Sequence, residues 1–183
     1  MRGAEAVLTR KTVIGKDAVV KLRNPKGYRN PELDRKLRIE RTRGEARLLN
    51  RAKLAGVDCP VVLGVGEFSI TMTLVHGERP RMDAVQSREA GMMLGRLHGA
   101  DIIHGDFTPA NLIAGRSGMV VIDFGLGFVS DDIEDKAVDV FTMLRSIGAG
   151  SREPFIEGYR AYSGSGAVLG RVKDVEKRVR YAF

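Results

Sequence analysis

The sequence has one cysteine, Cys59, and no tryptophan among 183 residues. A lone thiol excludes an internal disulfide framework and suits a reducing compartment, so an apolar core has to hold the chain together. No apolar run approaches the roughly 20 residues of a membrane-spanning helix. Met1 to Arg10 lacks the apolar centre of a signal peptide. These absences lead us to expect a cytoplasmic protein with no membrane partner. Repeats and low-complexity tracts are missing too, which argues against solenoids and disordered linkers. What remains, 43% hydrophobic and 29% charged residues, is the composition of a single folded domain over residues 1–183, long enough to bury a substantial core.

Acidic charge is also in short supply. The net charge is +7, and the excess is concentrated. Between Lys21 and Lys53, twelve Lys or Arg face only Glu32, Asp34, Glu40 and Glu45. The tail adds Arg171, Lys173, Lys177, Arg178 and Arg180 against Asp174 and Glu176. Such stripes attract phosphate backbones. Taken alone, however, a charge run is more often a solvated helix face laced with i,i+4 pairs.

The chemistry gathers in His104-Gly105-Asp106-Phe107-Thr108-Pro109-Ala110-Asn111, followed by Val121-Ile122-Asp123-Phe124-Gly125. This is HxDxxxxN and then DFG, the paired phosphate-transfer motifs of kinase-like folds. In that pattern Asp106 accepts a proton from, or orients, the attacking hydroxyl or water. Asn111 and Asp123 offer oxygens to Mg2+ on the phosphates of ATP. Hard oxygen ligands suit this ion, which keeps some of its waters and takes one or two protein groups. Leu112-Ile113 and Met119 to Ile122 read as two short strands that hold these residues.

Upstream, residues 4–9, 12–14 and 17–22 read as three short strands, the last ending Val19-Val20-Lys21. A lysine there resembles the one that grips ATP phosphates in kinases. Asn30-Pro31 opens a long helix, with Asn capping free N–H groups and Pro tolerated at the first position. Leu33, Leu37, Leu48, Leu49 and Ala52 recur along it, and Gly56 stops it. Glu45 borders the later part of this stripe and faces Lys21. Glu40, at about 100° per residue, lies on a different face. Val61–Gly66 and Ser69–Val75 form a hairpin pattern broken at His76-Gly77. By position this is a hinge, where the backbone of Thr73 and Val75 would meet the edge of adenine.

Helices are expected over 82–98, with Val85, Ala90, Met93, Leu94 and Leu97 on one face, and over 134–146, with Ala137, Val138, Phe141 and Leu144 inward. Two more are expected over 154–162 and 171–181, separated by Ser163-Gly164-Ser165-Gly166. Asp139, inside an apolar helix, needs buried partners. The backbone N–H groups around His104 are the candidates, and His104 itself reads as a packed structural residue. The element order predicts an α+β, reduced two-lobed protein-kinase-like fold. Its strand-rich N-lobe (1–76) has one long helix, and its small helical C-lobe (77–183) has no extended activation segment.

With these blocks in view, the sequence resembles the small atypical kinase (ATPase) subunit of the KEOPS complex, which makes threonylcarbamoyl-adenosine in transfer RNA. The likeness covers nearly the whole chain. It rests on Gly3-Ala4-Glu5-Ala6, on Lys26-Gly27-Tyr28-Arg29 with Leu33-Asp34 and Leu37-Arg38, and on Glu45-Ala46-Arg47-Leu48-Leu49. It continues in His104-Gly105-Asp106, in Ile122-Asp123-Phe124-Gly125-Leu126-Gly127 and in Glu134-Asp135-Lys136-Ala137-Val138-Asp139. RIO-type kinases share the general layout, but the run after DFG looks unlike theirs. The resemblance implies an archaeal-type protein with ATP- and Mg2+-dependent Ser/Thr autophosphorylation and ATPase activity. It also implies contact with the modification-enzyme subunit and a small adaptor subunit. In that setting transfer RNA is the natural anion for the basic helix 31–55 and the tail 171–180.

The chain departs from ordinary protein kinases in several places. It has no G-x-G-x-x-G lid, only Gly3 near the first strand. Gly105 stands where regulated kinases carry arginine, and Thr108 where a lysine is expected. No APE motif follows DFG, so the usual peptide-docking platform is absent. A stand-alone small-molecule phosphotransferase is an alternative, but it would need a larger helical extension than the residues after the Asp139 helix allow. A non-catalytic pseudokinase is another, opposed by the joint presence of Lys21, Glu45, Asp106, Asn111 and Asp123.

Overall fold

Ile14 and Gly15 set the first turn. Both have positive φ, 50° and 70°, the backbone of a tight two-residue hairpin. They join β1 (Ala6–Val13) to β2 (Lys16–Arg23), which pair antiparallel from Ala6 opposite Arg23 to Val13 opposite Lys16. The three short strands expected here are therefore two longer ones, because Thr12-Val13 completes β1 and Ile14 enters the turn. The computed structural model describes residues 6–116 and 118–181. Gly3, Ala4 and Glu5 of the family-like opening lie outside the described residues, as does the start of the expected first strand.

β3 (Val62–Val65) and β4 (Ser69–Thr73) complete a four-stranded sheet of order β1-β2-β4-β3. Helix α1 (Pro31–Leu54) accompanies it. The Asn30 side chain accepts from the N–H groups of Glu32 and Leu33, capping the helix. The two halves of α1 bury different things. The second half buries Leu48, Leu49 and Ala52, as the apolar spacing predicts. In the first half Leu33 is half-exposed, and the first buried residue is Asp34. Its carboxylate accepts from Arg38 Nε at 2.7 Å and from the Lys26 N–H at 3.2 Å, with Arg29 at 3.8 Å. The apolar stripe expected to begin at Leu33 thus begins later, and a neutralised carboxylate takes its place.

The rest of the chain is mostly helical: α2 (Ala84–Gly99), α3 (Ile133–Ser146), α4 (Ala149–Tyr159) and α5 (Ser165–Tyr181). Helices α2 and α4 meet backbone to backbone. A Cβ on Gly91 would lie 2.0 Å from the Phe155 carbonyl oxygen, and one on Gly158 would lie 1.9 Å from that of Arg88. Val85, expected inward, is exposed, because it sits in the first turn of α2 beyond this contact. In α3 the buried line is Ala137, Val140 and Met143, and Val138 is 46% exposed, so the inner face is rotated from the one expected. Helix α4 starts at Ala149 and carries Pro154 inside it, rather than starting there. The Ser-Gly separator is shorter than expected, since α5 begins at Ser165 after a turn closed by its N–H on the Tyr162 carbonyl.

Two small sheets hold the loops between these helices. β5 (Ile102–Ile103) pairs with β8 (Phe128–Val129), and β6 (Leu112–Gly115) with β7 (Gly118–Val121). β8, in the run after DFG, had no signature in the sequence. A continuous buried cluster runs from Leu49 of α1 and Ile70 of β4 through Phe107 and Phe124 to Met143, Phe155 and Tyr159. No helix of the described residues is long and apolar enough to cross a membrane.

Candidate active site

The two motif loops emerge side by side because β5 pairs with β8, and the β6–β7 hairpin lies between them in sequence. His104 follows β5 and is fully buried. Its Nε2 lies 3.1 Å from the Ile122 carbonyl, which it reaches as donor, and its Nδ1 accepts from the Asp106 N–H at 3.3 Å. Phe107 and Phe124 flank the ring. Burial pushes its pKa down, and with both nitrogens engaged it is a neutral brace between the loops, not a base. Gly105 has φ 78°, and a Cβ there would lie 2.5 Å from the Leu126 carbonyl oxygen. An arginine at this position would therefore displace the segment after DFG.

Asp139 reaches this loop from α3. It accepts from the His104 N–H at 2.6 Å and the Gly105 N–H at 2.9 Å. Behind it, His98 Nε2 lies 3.5 Å away, and His98 Nδ1 is 2.7 Å from the Tyr159 hydroxyl. Burial also lowers the pKa of His98. The bonds from Asp139 to the loop are the ones expected, while the part of this line that runs from Tyr159 of α4 through His98 of α2 escaped sequence reasoning.

Asp106 is half-buried, and its Oδ2 accepts from Asn111 Nδ2 at 2.8 Å. The same amide also donates to the Asp106 carbonyl. Asp123 has φ 61°, a left-handed backbone that turns its side chain towards β2. Lys21 Nζ sits 2.7 Å from Asp123 Oδ1 and 2.7 Å from Glu45 Oε1. Burial works against the charge of Asp123, but Lys21 and the Gly125 N–H hold its carboxyl below the usual range. Glu45 is buried while Glu40 is exposed, so α1 presents the former to β2. Sequence reasoning assigned no role to Arg23, two residues beyond Lys21 and thus on the same strand face. Its Nη2 lies 2.5 Å from Glu45 Oε2, and it is 5% exposed.

The donor set suits a hard divalent ion. The Nδ2 of Asn111 is committed to Asp106, which leaves its Oδ1 as an acceptor. Lys21 and the Gly125 N–H use one oxygen of Asp123, and the other has no partner among the described residues. Two such oxygens are what Mg2+ takes from protein when phosphates and waters fill its remaining positions. At the hinge, the Thr73 N–H is spent on the Val61 carbonyl and the Leu74 N–H on that of Asp17. Thr73 therefore has only its carbonyl to offer. The Val75 N–H has no partner among the described residues.

A two-lobed fold with these loops at its cleft defines the class of atypical kinases, and the comparisons narrow it. The RIO domain family matches residues 19–142. A probable serine/threonine-protein kinase BUD32 homolog of Archaeoglobus fulgidus is 45% identical over 90% of this chain and 89% of its own. A probable bifunctional tRNA threonylcarbamoyladenosine biosynthesis protein of Methanoculleus marisnigri is 41% identical over 98% of this chain. The chain spans only 35% of that relative's length. In structure, the Rio2 kinase-ADP/Mg2+-phosphoaspartate complex from Chaetomium thermophilum aligns with all of the chain at TM-score 0.67 and 14% identity. The macrolide 2'-phosphotransferase MphH from Brachybacterium faecium aligns with 94% of it at the same TM-score and 16% identity. These structures share the protein-kinase-like fold.

The chain belongs to the RIO-domain family of atypical kinases and, within it, to the family of the BUD32 homologs. The RIO match runs through the segment after DFG.

Proposed function

We propose that this chain binds Mg2+ and ATP and transfers the γ-phosphate to a Ser or Thr hydroxyl or to water. The observation that carries the reading is the convergence of Lys21 and Glu45 on Asp123, whose loop lies beside the one that bears the Asp106–Asn111 pair. Asp106 orients the attacking hydroxyl and takes its proton. The new O–P bond forms as the bond to the β–γ bridging oxygen breaks and ADP leaves. Lys21 grips the phosphates, held by Glu45. Asn111 and Asp123 hold the metal, which when bound neutralises charge on the phosphates. The Thr73 carbonyl and the Val75 N–H bond the adenine edge.

The setting we infer is the cytoplasmic KEOPS-type machinery for threonylcarbamoyl-adenosine in transfer RNA. The name of the 41% identical relative, a probable bifunctional tRNA threonylcarbamoyladenosine biosynthesis protein, supports it. The partners would be the modification-enzyme subunit and the small adaptor subunit. Transfer RNA would lie on α1, where Lys36, Arg43 and Arg47 share one exposed face and have no ion-pair partner among the described residues. The tail is less available for this contact, because Arg171 and Arg178 both pair with Glu134. The side chain of Arg180 lies outside the described residues.

Purified protein incubated with labelled ATP, with and without Mg2+, tests the chemistry. Metal-dependent release of phosphate, or its appearance on serine or threonine, is expected, and Asp106→Asn should remove it. Turnover that survives in Asp106→Asn, with contaminating ATPases excluded, defeats the assignment.

A further inference from the structure

Strand β2 points two cations into the cleft, and a conventional Lys–Glu pair accounts for only one of them. Glu45 is 2% exposed, and each of its oxygens has its own cation. Oε1 meets Lys21 at 2.7 Å and Oε2 meets Arg23 at 2.5 Å. Lys21 is at the same time 2.7 Å from Asp123. Arg23 also borders the DFG turn. A Cβ built on Gly125 would lie 3.3 Å from Arg23 Nη2, 3.5 Å from Lys21 Nζ and 2.9 Å from Asp123 Oδ1. The backbone of Arg23 is fixed too, its N–H donating to the Phe68 carbonyl at 2.9 Å.

We propose that Arg23 is a positioning residue for the phosphates of the nucleotide, holding Glu45 so that the charge of Lys21 is free to face them. The inference rests on the phosphate-transfer reading above. A buried carboxylate with a single ammonium partner holds that ammonium tightly, because nothing else neutralises it. A guanidinium on the second oxygen stays protonated at every relevant pH and relieves that demand. Once Asp123 turns to a metal, Lys21, Arg23 and Glu45 together leave one positive charge behind the phosphates, where a plain Lys–Glu pair leaves none. The sequence lacks the G-x-G-x-x-G whose backbone covers the phosphates from above. A permanent cation beneath them offsets that loss.

The ordinary alternative is that Arg23 merely ties α1 to β2. Binding of Mg·ATP and of adenosine to the full chain separates the two, since adenosine has the ring but no phosphate. Arg23→Met is expected to weaken Mg·ATP binding about tenfold, with adenosine changed less than twofold. Arg23→Lys restores most of the affinity. Lys21→Met should cost less in the Arg23→Met background than in the wild type. Losses shared equally by the two ligands, or no loss at all, overturn the proposal. Should Arg23→Met fail to fold, the neutral but polar Arg23→Gln takes its place: a several-fold loss confined to Mg·ATP supports the proposal, and a shared or absent loss defeats it. Failure of the wild type to bind Mg·ATP removes the phosphate-transfer reading and this inference with it. Wild-type binding that ignores Arg23 removes only the inference.

Discussion

The charges inside the cleft and those on the outer face of α1 are the same residue types under opposite rules. Lys21, Arg23, Glu45 and Asp139 are each 8% exposed or less, and each meets a partner within 3 Å. Lys36, Arg43 and Arg47 are exposed, and none has a partner among the described residues. In the low dielectric of the interior an unanswered charge is too costly to keep, so every charge there fixes the position of another group. On the surface, water and salt do the answering, and a charge fixes little. Variants in the cleft should therefore have large effects that salt barely changes. Variants on the outer face should have small effects that salt changes steeply.

Asp106→Asn and Asp123→Ala should show the largest effects. In the proposed reaction both residues act on the reacting groups, and neither is part of the apolar core. Phosphate transfer is expected to fall by about a thousandfold or more, with melting temperature nearly unchanged. Asp123→Ala should in addition weaken Mg2+-dependent nucleotide binding. Steady-state ATP turnover beside thermal melts is the measurement, and a turnover loss that merely tracks unfolding would count against a site role.

Asp139→Ala comes next and should act through structure. It leaves the buried His104 and Gly105 N–H groups without their acceptor, which costs about 2–3 kcal/mol. The loop bearing Asp106 loosens, so turnover falls as well. Asp139→Asn keeps one carbonyl oxygen and should recover part of both losses. Denaturant unfolding with parallel turnover assays would decide it. An alanine variant with wild-type stability would mean that the two N–H groups find another acceptor.

The site was far more legible in the sequence than its surroundings. Motif residues have fixed spacing because metal and phosphate geometry fixes it, so Asp106, Asn111 and Asp123 could be placed directly, and Lys21 with Glu45 by strand end and helix face. Arg23 was missed because a basic residue in a basic stretch looks like solvated surface until the strand alternation is followed past Lys21. Asp34 was missed for the reverse reason: an acid at the start of a helix reads as favourable charge near the N-terminus, not as a buried centre for Arg29 and Arg38. In α2 the expected face fails only at Val85. Gly91 and Gly158 bring α2 and α4 together so closely that Val85 is left outside the contact, and apolar spacing carries no sign of that. β8 is too short for any periodic signal, and its pairing with β5 is a tertiary event.

The buried histidines extend the contrast to pH. His98 and His104 are held below their ordinary value of 6.5 by burial, so the unfolded chain takes up protons that the folded one refuses. Their contribution to stability is fully present above about pH 6.5 and is lost as the pH falls below it. Asp101 and Asp123 sit below their ordinary 3.8, so their contributions persist until the solution is much more acidic. The melting temperature is expected to drop between pH 7.5 and 5.5, and His98→Gln should make that drop shallower. A flat profile across this window would show that both rings take up a proton in the folded state.

The smallest effects, and the sharpest form of the comparison, come from two charge reversals of equal size. Arg43→Glu with Arg47→Glu changes cations that have no partner among the described residues. Arg171→Glu with Arg178→Glu changes cations already answered by Glu134, the first of them at 3.0 Å. If α1 carries phosphate contacts, the first pair should weaken transfer-RNA binding in the reconstituted complex. The slope of log affinity against log salt should become shallower by about 1–2, since each lost contact is worth about 0.7–0.9. ATP binding by the isolated chain should not move, because neither residue reaches the cleft. The second pair should leave the RNA slope alone and loosen α5 from α3 by no more than about 1 kcal/mol per ion pair. A salt slope that responds to the α5 pair and not to the α1 pair would move the RNA to the tail. A slope that responds to neither would leave both helices as solvated faces.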